Sequence, residues 1–439
     1  MQTQSAAIWW ILEKYMTSSI LNKQTDFDQF KLHETLKKGI NKAGFTSARP
    51  IQVQTIPAGL AGKDVLGLAQ TGTGKTAAFA LPILNQLLTN PGKCPRVLIL
   101  APTRELATQI AKEIQMLSQF TALKGITVYG GLSIHKQISG LRRKPEIVIG
   151  CPGRVLDLVK RRALYLGAVT TLVVDEADHM FDMGFLPDIR KILAELPAAR
   201  QNLLFSATMP KEIRRLANEL LNKPHIVELA DSAPASTIDH ALYLIPEKRK
   251  HDLLKHILGS NDCSSAIVFT RTKHRAKRLA VQFSQLGFRA VGLQGNMSQS
   301  QRDKAMGGFR SGHFDILFAT DIASRGIDVS NVSHVINFDV PGTPEAYTHR
   351  IGRTGRSESS GIACTFVTKE DRDWVRSTER MIGAPIQRRT IEGFVADFED
   401  APARSKPSHN NPRSYQPNKK KRTNRPKSTT KRYPHKRAS

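Results

Sequence analysis

The run Ala69-Gln70-Thr71-Gly72-Thr73-Gly74-Lys75-Thr76 sits between a short apolar, β-rich segment and a stretch of helical periodicity. Glycines in such a loop let backbone N–H groups approach phosphates, and the helix that follows points its N-terminus at the anion. Lys75 offers a cation to the β- and γ-phosphates, and Thr76 a hydroxyl to Mg²⁺. Ala69 holds a position where the general pattern has Gly, a departure that the following Gly-Lys-Thr makes tolerable. Further along, Asp175-Glu176-Ala177-Asp178 ends another short apolar run. Carboxylates at a strand tip are costly to desolvate unless a cation or a proton is handled there. Asp175 is therefore expected to hold Mg²⁺ through water, and Glu176 to orient and deprotonate the attacking water. Alone, the acidic turn reads as a solvated loop; with the phosphate loop upstream, the pair reads as a site that hydrolyses a nucleotide.

Elements that could carry these groups follow one grammar, in which short β-rich runs alternate with helical stretches, as parallel sheets in βαβ units require. In the first half the expected strands are Val65–Ala69, Val97–Ala101, Ile147–Gly150, Leu172–Asp175 and Leu203–Ser206. The second half repeats the pattern with Ala266–Phe269, Ala290–Leu293, Ile316–Thr320, Val335–Phe338 and Cys364–Val367. The small, proline-interrupted stretch 230–238 reads as a linker. The expected organisation is an extension over 1–25, a first α/β domain over 26–229, that linker, a second α/β domain over 239–390 and a tail over 391–439. The polar clusters fall at the carboxyl ends of the strands, where ligands bind in such sheets.

Composition agrees with two domains plus extensions: the chain has 439 residues, 40% of them hydrophobic, which is ample for two cores. Net charge is +27, and thirteen Lys or Arg with no Asp or Glu lie between Arg404 and the C-terminus. That segment cannot bury enough apolar surface to fold alone, so it is expected to be a disordered basic arm whose partner is a polyanion. Cys94, Cys151, Cys263 and Cys364 lie far apart, which argues against a disulfide framework or a zinc site and points to a reducing cytoplasm. The early apolar run Ala6 to Leu12 is too short to span a bilayer and lacks a cleavage site. No membrane partner is expected, and Met16 is an alternative start.

The chain resembles the DEAD-box RNA helicases from about Phe27 to Arg380. Besides the two clusters above, the motifs occur in family order: Pro102-Thr103-Arg104-Glu105-Leu106-Ala107, Gly130-Gly131, Ser206-Ala207-Thr208, and Gln299 with Arg302. Ala319-Thr320-Asp321 then leads to Arg325-Gly326-Ile327-Asp328, and the last is His349-Arg350-Ile351-Gly352-Arg353-Thr354-Gly355-Arg356. Within the family the chain looks most like the compact bacterial RhlE-type members. The resemblance implies two tandem RecA-like domains that close over ATP and a single RNA strand.

It also implies roles for single residues. Gly44-Phe45 followed by Pro50-Ile51-Gln52, with Phe27 upstream, resembles the adenine-selecting segment. The Gln52 amide matches adenine's N7 acceptor and N6 donor, which favours ATP over GTP; Phe27 would stack on the base. Ala48 and Arg49 replace the usual Pro and Thr or Ser, so the link from this segment to the phosphate loop is expected to weaken, and nucleotide affinity with it. By the same resemblance Arg353 and Arg356 act as arginine fingers, making hydrolysis conditional on closure, and Asp328 contacts the ribose. The implied RNA contacts are Thr103, Arg104, Gly131 and Arg154 in the first domain and Arg271, Gly295 and Thr320 in the second. Cys151 replaces the usual Thr, which is expected to weaken one contact. Such a mixture of backbone, hydroxyl and guanidinium groups reads sugar and phosphate, so RNA binding should be sequence-tolerant. Ser206 and Thr208 would hydrogen-bond Asp178, coupling the ATP side to the RNA side. Local melting of short duplexes and remodelling of RNA–protein contacts is the implied work. Ribosome assembly, RNA turnover and cold response are the implied settings, with ribosomal precursors and RNA-decay proteins as partners. A DNA-translocating helicase and a non-hydrolysing RNA clamp are the rival classes; intact Lys75, Glu176, Arg353 and Arg356 argue against the clamp.

Overall fold

A computed structural model describes residues 26–69, 72–229, 238–321, 332–355, 360–392 and 394. The expectations for the 1–25 extension, for Gln70 and Thr71, for Asp328 and Arg356, and for the basic arm lie outside the described residues. The linker does too, except for its last residue.

Strand-forming runs of Val, Ile, Leu and Phe build two seven-stranded sheets, every pairing within them parallel. The first comprises β1 (Val65–Leu68), β2 (Val97–Leu100), β3 (Gly125–Val128), β4 (Ile147–Gly150), β5 (Thr171–Val174), β6 (Gln201–Ser206) and β7 (His225–Glu228). Its order is β3-β4-β2-β5-β6-β1-β7. The second comprises β8 (Ile238–Leu244), β9 (Ala266–Phe269), β10 (Ala290–Leu293), β11 (Ile316–Ala319), β12 (His334–Asn337), β13 (Gly361–Val367) and β14 (Gln387–Arg389). Its order is β10-β11-β9-β12-β13-β8-β14, the first order over again with each number raised by seven. These are the two RecA-like units expected, and both fall within one compact unit of the chain.

Parallel strands covered by helices bury both faces, so they read as continuous apolar runs rather than alternating ones. In β2, Val97 and Ile99 enter one core and Leu98 and Leu100 the other. In the second sheet, Ile267 and Phe269 of β9 face one core while Ala266 and Val268 face the opposite one. Each fully buried aliphatic or Phe side chain contributes about 1.5–3 kcal/mol, and together they make the strand tips a rigid platform.

Four strands depart from the sequence reading. β3, β7 and β14 are edge strands, the last two largely exposed, whose short mixed sequences carry little apolar signal. β8 begins at Ile238, the last residue assigned to the linker, which is buried in the second core. The end of that domain also moves, because Ile391 and Phe394 pack on it, with Phe394 under the Arg249 guanidinium at 5.0 Å. No helix among the described residues is long and apolar enough to cross a membrane.

Candidate functional site

After β1 the chain turns through Gly72 and Gly74, both at positive φ (87° and 93°), which glycine adopts without strain. Gly74 caps the helix Lys75–Thr89. Lys75 and Thr76 are buried in its first turn, and the Lys75 ammonium donates to the Ala69 carbonyl at 2.8 Å. At the tip of β5, Asp175 is 2% exposed and accepts the Glu176 N–H at 2.9 Å. Burial pushes its carboxyl up to about 7, against the pull of Lys75. Glu176 occupies the left-handed region (φ 52°), an uncommon conformation for a residue with a side chain and one concentrated at functional sites. Burial would raise its carboxyl, but the hydrogen bond from His179, together with Lys75 and Arg353, holds it well below the usual carboxylate range.

Asp178, in the first turn of the helix Ala177–Asp182, accepts from both the N–H and the hydroxyl of Thr208 at 2.9 Å. Its own N–H donates to the Ser206 hydroxyl at 3.2 Å, and that hydroxyl donates to the Thr208 carbonyl at 2.8 Å. The acidic turn is thus tied to the end of β6. Across from it, Arg353 of the second domain lines the same cleft as Lys75, Glu176 and His179, and His349 joins them.

The arginines of the 349–356 motif differ in use. Arg350 is 3% exposed and grips both oxygens of Asp321 at 2.6 and 2.7 Å. It also donates to Asn337 and to the Asp339 carbonyl, and stacks over Phe269 at 4.9 Å, so it builds the second domain. Arg353 lines the cleft beside it.

Two residues of the segment that resembles an adenine-selecting one are buried. Gln52 is 1% exposed; its amide donates to the Gly74 carbonyl at 3.1 Å and accepts the Arg49 N–H at 2.9 Å. Phe27 is 3% exposed, its ring edge-on to Phe30 and Phe45 within the core, so in this arrangement it packs against protein. Arg49 corrects one expectation. Its guanidinium donates to the Gly72 carbonyl at 2.6 Å, so the link to the phosphate loop is made by an arginine where the hydroxyl is missing.

A second cleft gathers Thr103, Arg104, Arg154, Gly295 and Arg302 from both domains, with Gly130 and Cys151 at its wall. Thr103 caps the helix Arg104–Leu117 by accepting the Leu106 N–H at 3.2 Å. Gly131 (φ 82°) lets Arg104 lie against it, because a Cβ there would run into the guanidinium. Arg104 in turn donates to Gln299 of the second domain at 3.3 Å. Arg154 donates to the Leu132 carbonyl at 3.3 Å. Cys151 caps the helix Pro152–Lys160 without a side-chain hydrogen bond, where Thr would supply one, and burial pushes its thiol up to about 12. Arg271 and Thr320 stand just past the ends of β9 and β11 and are not among the residues lining this cleft. The Arg271 N–H is held by Asp339 at 2.8 Å.

The sequence model of the DEAD/DEAH box helicases matches residues 49–216, and that of the helicase conserved C-terminal domain matches 249–358. An ATP-dependent RNA helicase CshA of Listeria monocytogenes is 46% identical over 356 residues, covering 81% of this chain and 68% of that protein. A DEAD-box ATP-dependent RNA helicase CshA of Bacillus subtilis is 44% identical over 365 residues, covering 82% and 73%. Among solved structures, S. cerevisiae Dbp5 bound to RNA and ADP BeF3 is similar with a TM-score of 0.74 at 32% identity, covering 83% of this chain and 95% of that one.

Proposed function

The chain belongs to the DEAD-box family of ATP-dependent RNA helicases, and from that premise we propose how its residues divide the work. The observation that carries the reading is a cleft in which Lys75 and Glu176 of the first domain meet Arg353 of the second. Lys75 and the loop Ala69–Gly74 hold the nucleotide phosphates, Glu176 takes a proton from the attacking water, and Arg353 offsets charge that develops on the transferred phosphoryl group. Arg356 joins it as a second finger, and Asp328 takes the ribose. Gln52 and Phe45 flank the base, Gln52 selecting adenine once its amide exchanges the Gly74 carbonyl for the base.

Thr76 and Asp175 are hard oxygen donors of the kind Mg²⁺ takes, and the buried Asp175 carboxyl is a group that a divalent cation would keep ionised. Among the described residues no group of three or more His, Cys, Asp and Glu could hold a metal; an ion held mainly by the substrate's phosphates needs none. When bound, Mg²⁺ would neutralise charge on the phosphate oxygens.

RNA lies along the second cleft, against Thr103, Arg104, Gly131 and Arg154 and against Arg271, Gly295 and Thr320. Asp178, Ser206 and Thr208 join the two clefts within the first domain. Closure on RNA completes the ATP site; hydrolysis and release reopen it, and the bent strand sheds a short partner. The basic arm from Arg404 tethers RNA by its phosphates. Placement nearer RhlE-type members finds no support in the relatives named above, and ribosome assembly, RNA turnover and cold response, in a cytoplasmic setting, are the roles we retain. Glu176→Gln tests the reading: ATP and RNA binding should persist while turnover falls at least about 100-fold, the low end for a general base. Near-normal RNA-stimulated hydrolysis would overturn it.

A further inference from the structure

We propose that His179 is a positioning residue for the general base: its ring N–H fixes one oxygen of Glu176, and the ring is backed by the second domain. The proposal rests on the reading of Glu176 as the base.

His179 Nδ1 lies 2.7 Å from Glu176 Oε2, and both side chains are 7% exposed. An ionised carboxylate can only accept, so Nδ1 carries a hydrogen and donates it. Nε2 is buried and has no hydrogen-bond partner in the protein. Leaving a buried nitrogen unsatisfied is costly, and a histidine kept only for packing has no reason to carry that cost at the edge of the cleft. The side chain does not reach Glu176 by accident of sequence spacing either. Glu176 sits in the left-handed region as the N-cap of the short helix Ala177–Asp182, and that backbone turn sets its carboxylate beside a ring three residues further on.

On its other flank the His179 ring meets the His349 ring, centroids 6.1 Å apart and tilted by 43°. His349 belongs to the second domain, so the backing exists only when the two domains are together. The groups around the pair are Asp178, whose carboxylate lies 4.0 Å from His349 Nε2, and Arg353. Closure therefore does more than deliver an arginine: it seats the imidazole that holds the base. A carboxylate free to rotate presents its lone pair to water in many orientations, and a misplacement of about 1 Å can cost roughly 100-fold in rate.

Two substitutions separate the hydrogen bond from the packing. His179→Phe keeps a ring against His349 but removes the donor. His179→Asn removes the ring but carries an amide N–H at the distance from the backbone where imidazole carries Nδ1. In the full chain, RNA-stimulated kcat of His179→Phe should fall about 10- to 100-fold with KM for ATP within about twofold, a loss confined to the transition state. His179→Asn should recover most of that loss. The same His179→Phe change made on top of Glu176→Gln should have no further effect, because the group it positions is gone. Full activity of the Phe variant, an Asn variant as slow as the Phe variant, or a further loss on the Gln background would each overturn the proposal. If Glu176→Gln alone hydrolyses ATP normally, it is the general-base reading that fails.

Discussion

Arg302 of the second domain meets Glu105 of the first, two guanidinium nitrogens 2.6 and 2.7 Å from one carboxylate oxygen, with both side chains largely buried. The pair joins residues far apart in sequence at the wall of the candidate RNA cleft. Removing one partner of such a pair leaves an uncompensated charge in a dry place, at about 3–5 kcal/mol when burial is complete. In the open arrangement both groups regain water, so the penalty falls on closure. Glu105→Gln is expected to raise the RNA concentration for half-maximal ATPase about tenfold or more while leaving the melting temperature near that of the unaltered protein. A titration of ATPase rate against RNA measures the first, and calorimetry the second.

Arg350 and Arg353 lie three residues apart and should fail in different ways. Arg350→Ala removes a buried guanidinium from Asp321, Asn337 and Phe269, so the second domain should lose about 3–5 kcal/mol and unfold at markedly lower denaturant. Arg353→Ala should leave that midpoint in place and lower kcat by about 1000-fold. Denaturant melts and steady-state kinetics on both variants decide the matter; a stable but inactive Arg350→Ala would reverse the assignment.

Acidity should oppose closure through His349. Burial, opposed by Asp178, lowers its pKa from 6.5 to about 4 in the closed arrangement. The closed form therefore binds fewer protons than one in which the ring is hydrated. Closure is unaffected by this ring above about pH 6.5 and is increasingly opposed as pH falls toward 4. RNA-stimulated turnover should decline over that window more steeply in the unaltered protein than in His349→Gln, whose side chain does not titrate. Superimposable pH profiles would remove His349 from the account.

The Arg49 guanidinium on the Gly72 carbonyl is a charge-assisted hydrogen bond at an exposed position, worth on the order of 1 kcal/mol after solvent competition. Arg49→Ala should raise KM for ATP about fivefold with little change in kcat. Arg49→Thr, which restores the hydroxyl usual in the family, should recover affinity. Nucleotide titrations read this directly, and an Ala variant with unaltered KM would make the contact incidental.

How much of this was legible beforehand depended on where each signal resides. The phosphate loop and the acidic turn announce themselves because glycine spacing and a carboxylate at a strand tip are local facts. Interior strands announce themselves because both faces are buried, whereas β7, with only Val227 buried, and β14, with none, look like loops. Ile238 reads as the end of a proline-marked linker because nothing nearby in sequence shows that it pairs with β13. Arg49 reads as the loss of a hydroxyl, since the carbonyl it finds lies 23 residues away. His179 was missed altogether. A single histidine on a short polar helix carries no signal until Glu176 and His349 are seen on either side of it.

The repeated strand order bears on ancestry and on fuel. β8 occupies in the second sheet the place β1 occupies in the first, and each is followed by a helix that starts with a buried lysine, Lys75 or Lys250. The loops between strand and lysine have diverged. After β1 come two glycines at positive φ; after β8 come Ile245, Pro246 and the turn Glu247–Arg249, and Lys250 is paired with Glu247 at 3.0 Å. An ammonium already neutralised, behind a loop with no glycine to let phosphates approach, cannot receive a nucleotide. On the reading proposed above, one copy of the fold holds the fuel and the other serves as its lever, so each stroke of the pair is expected to consume a single ATP.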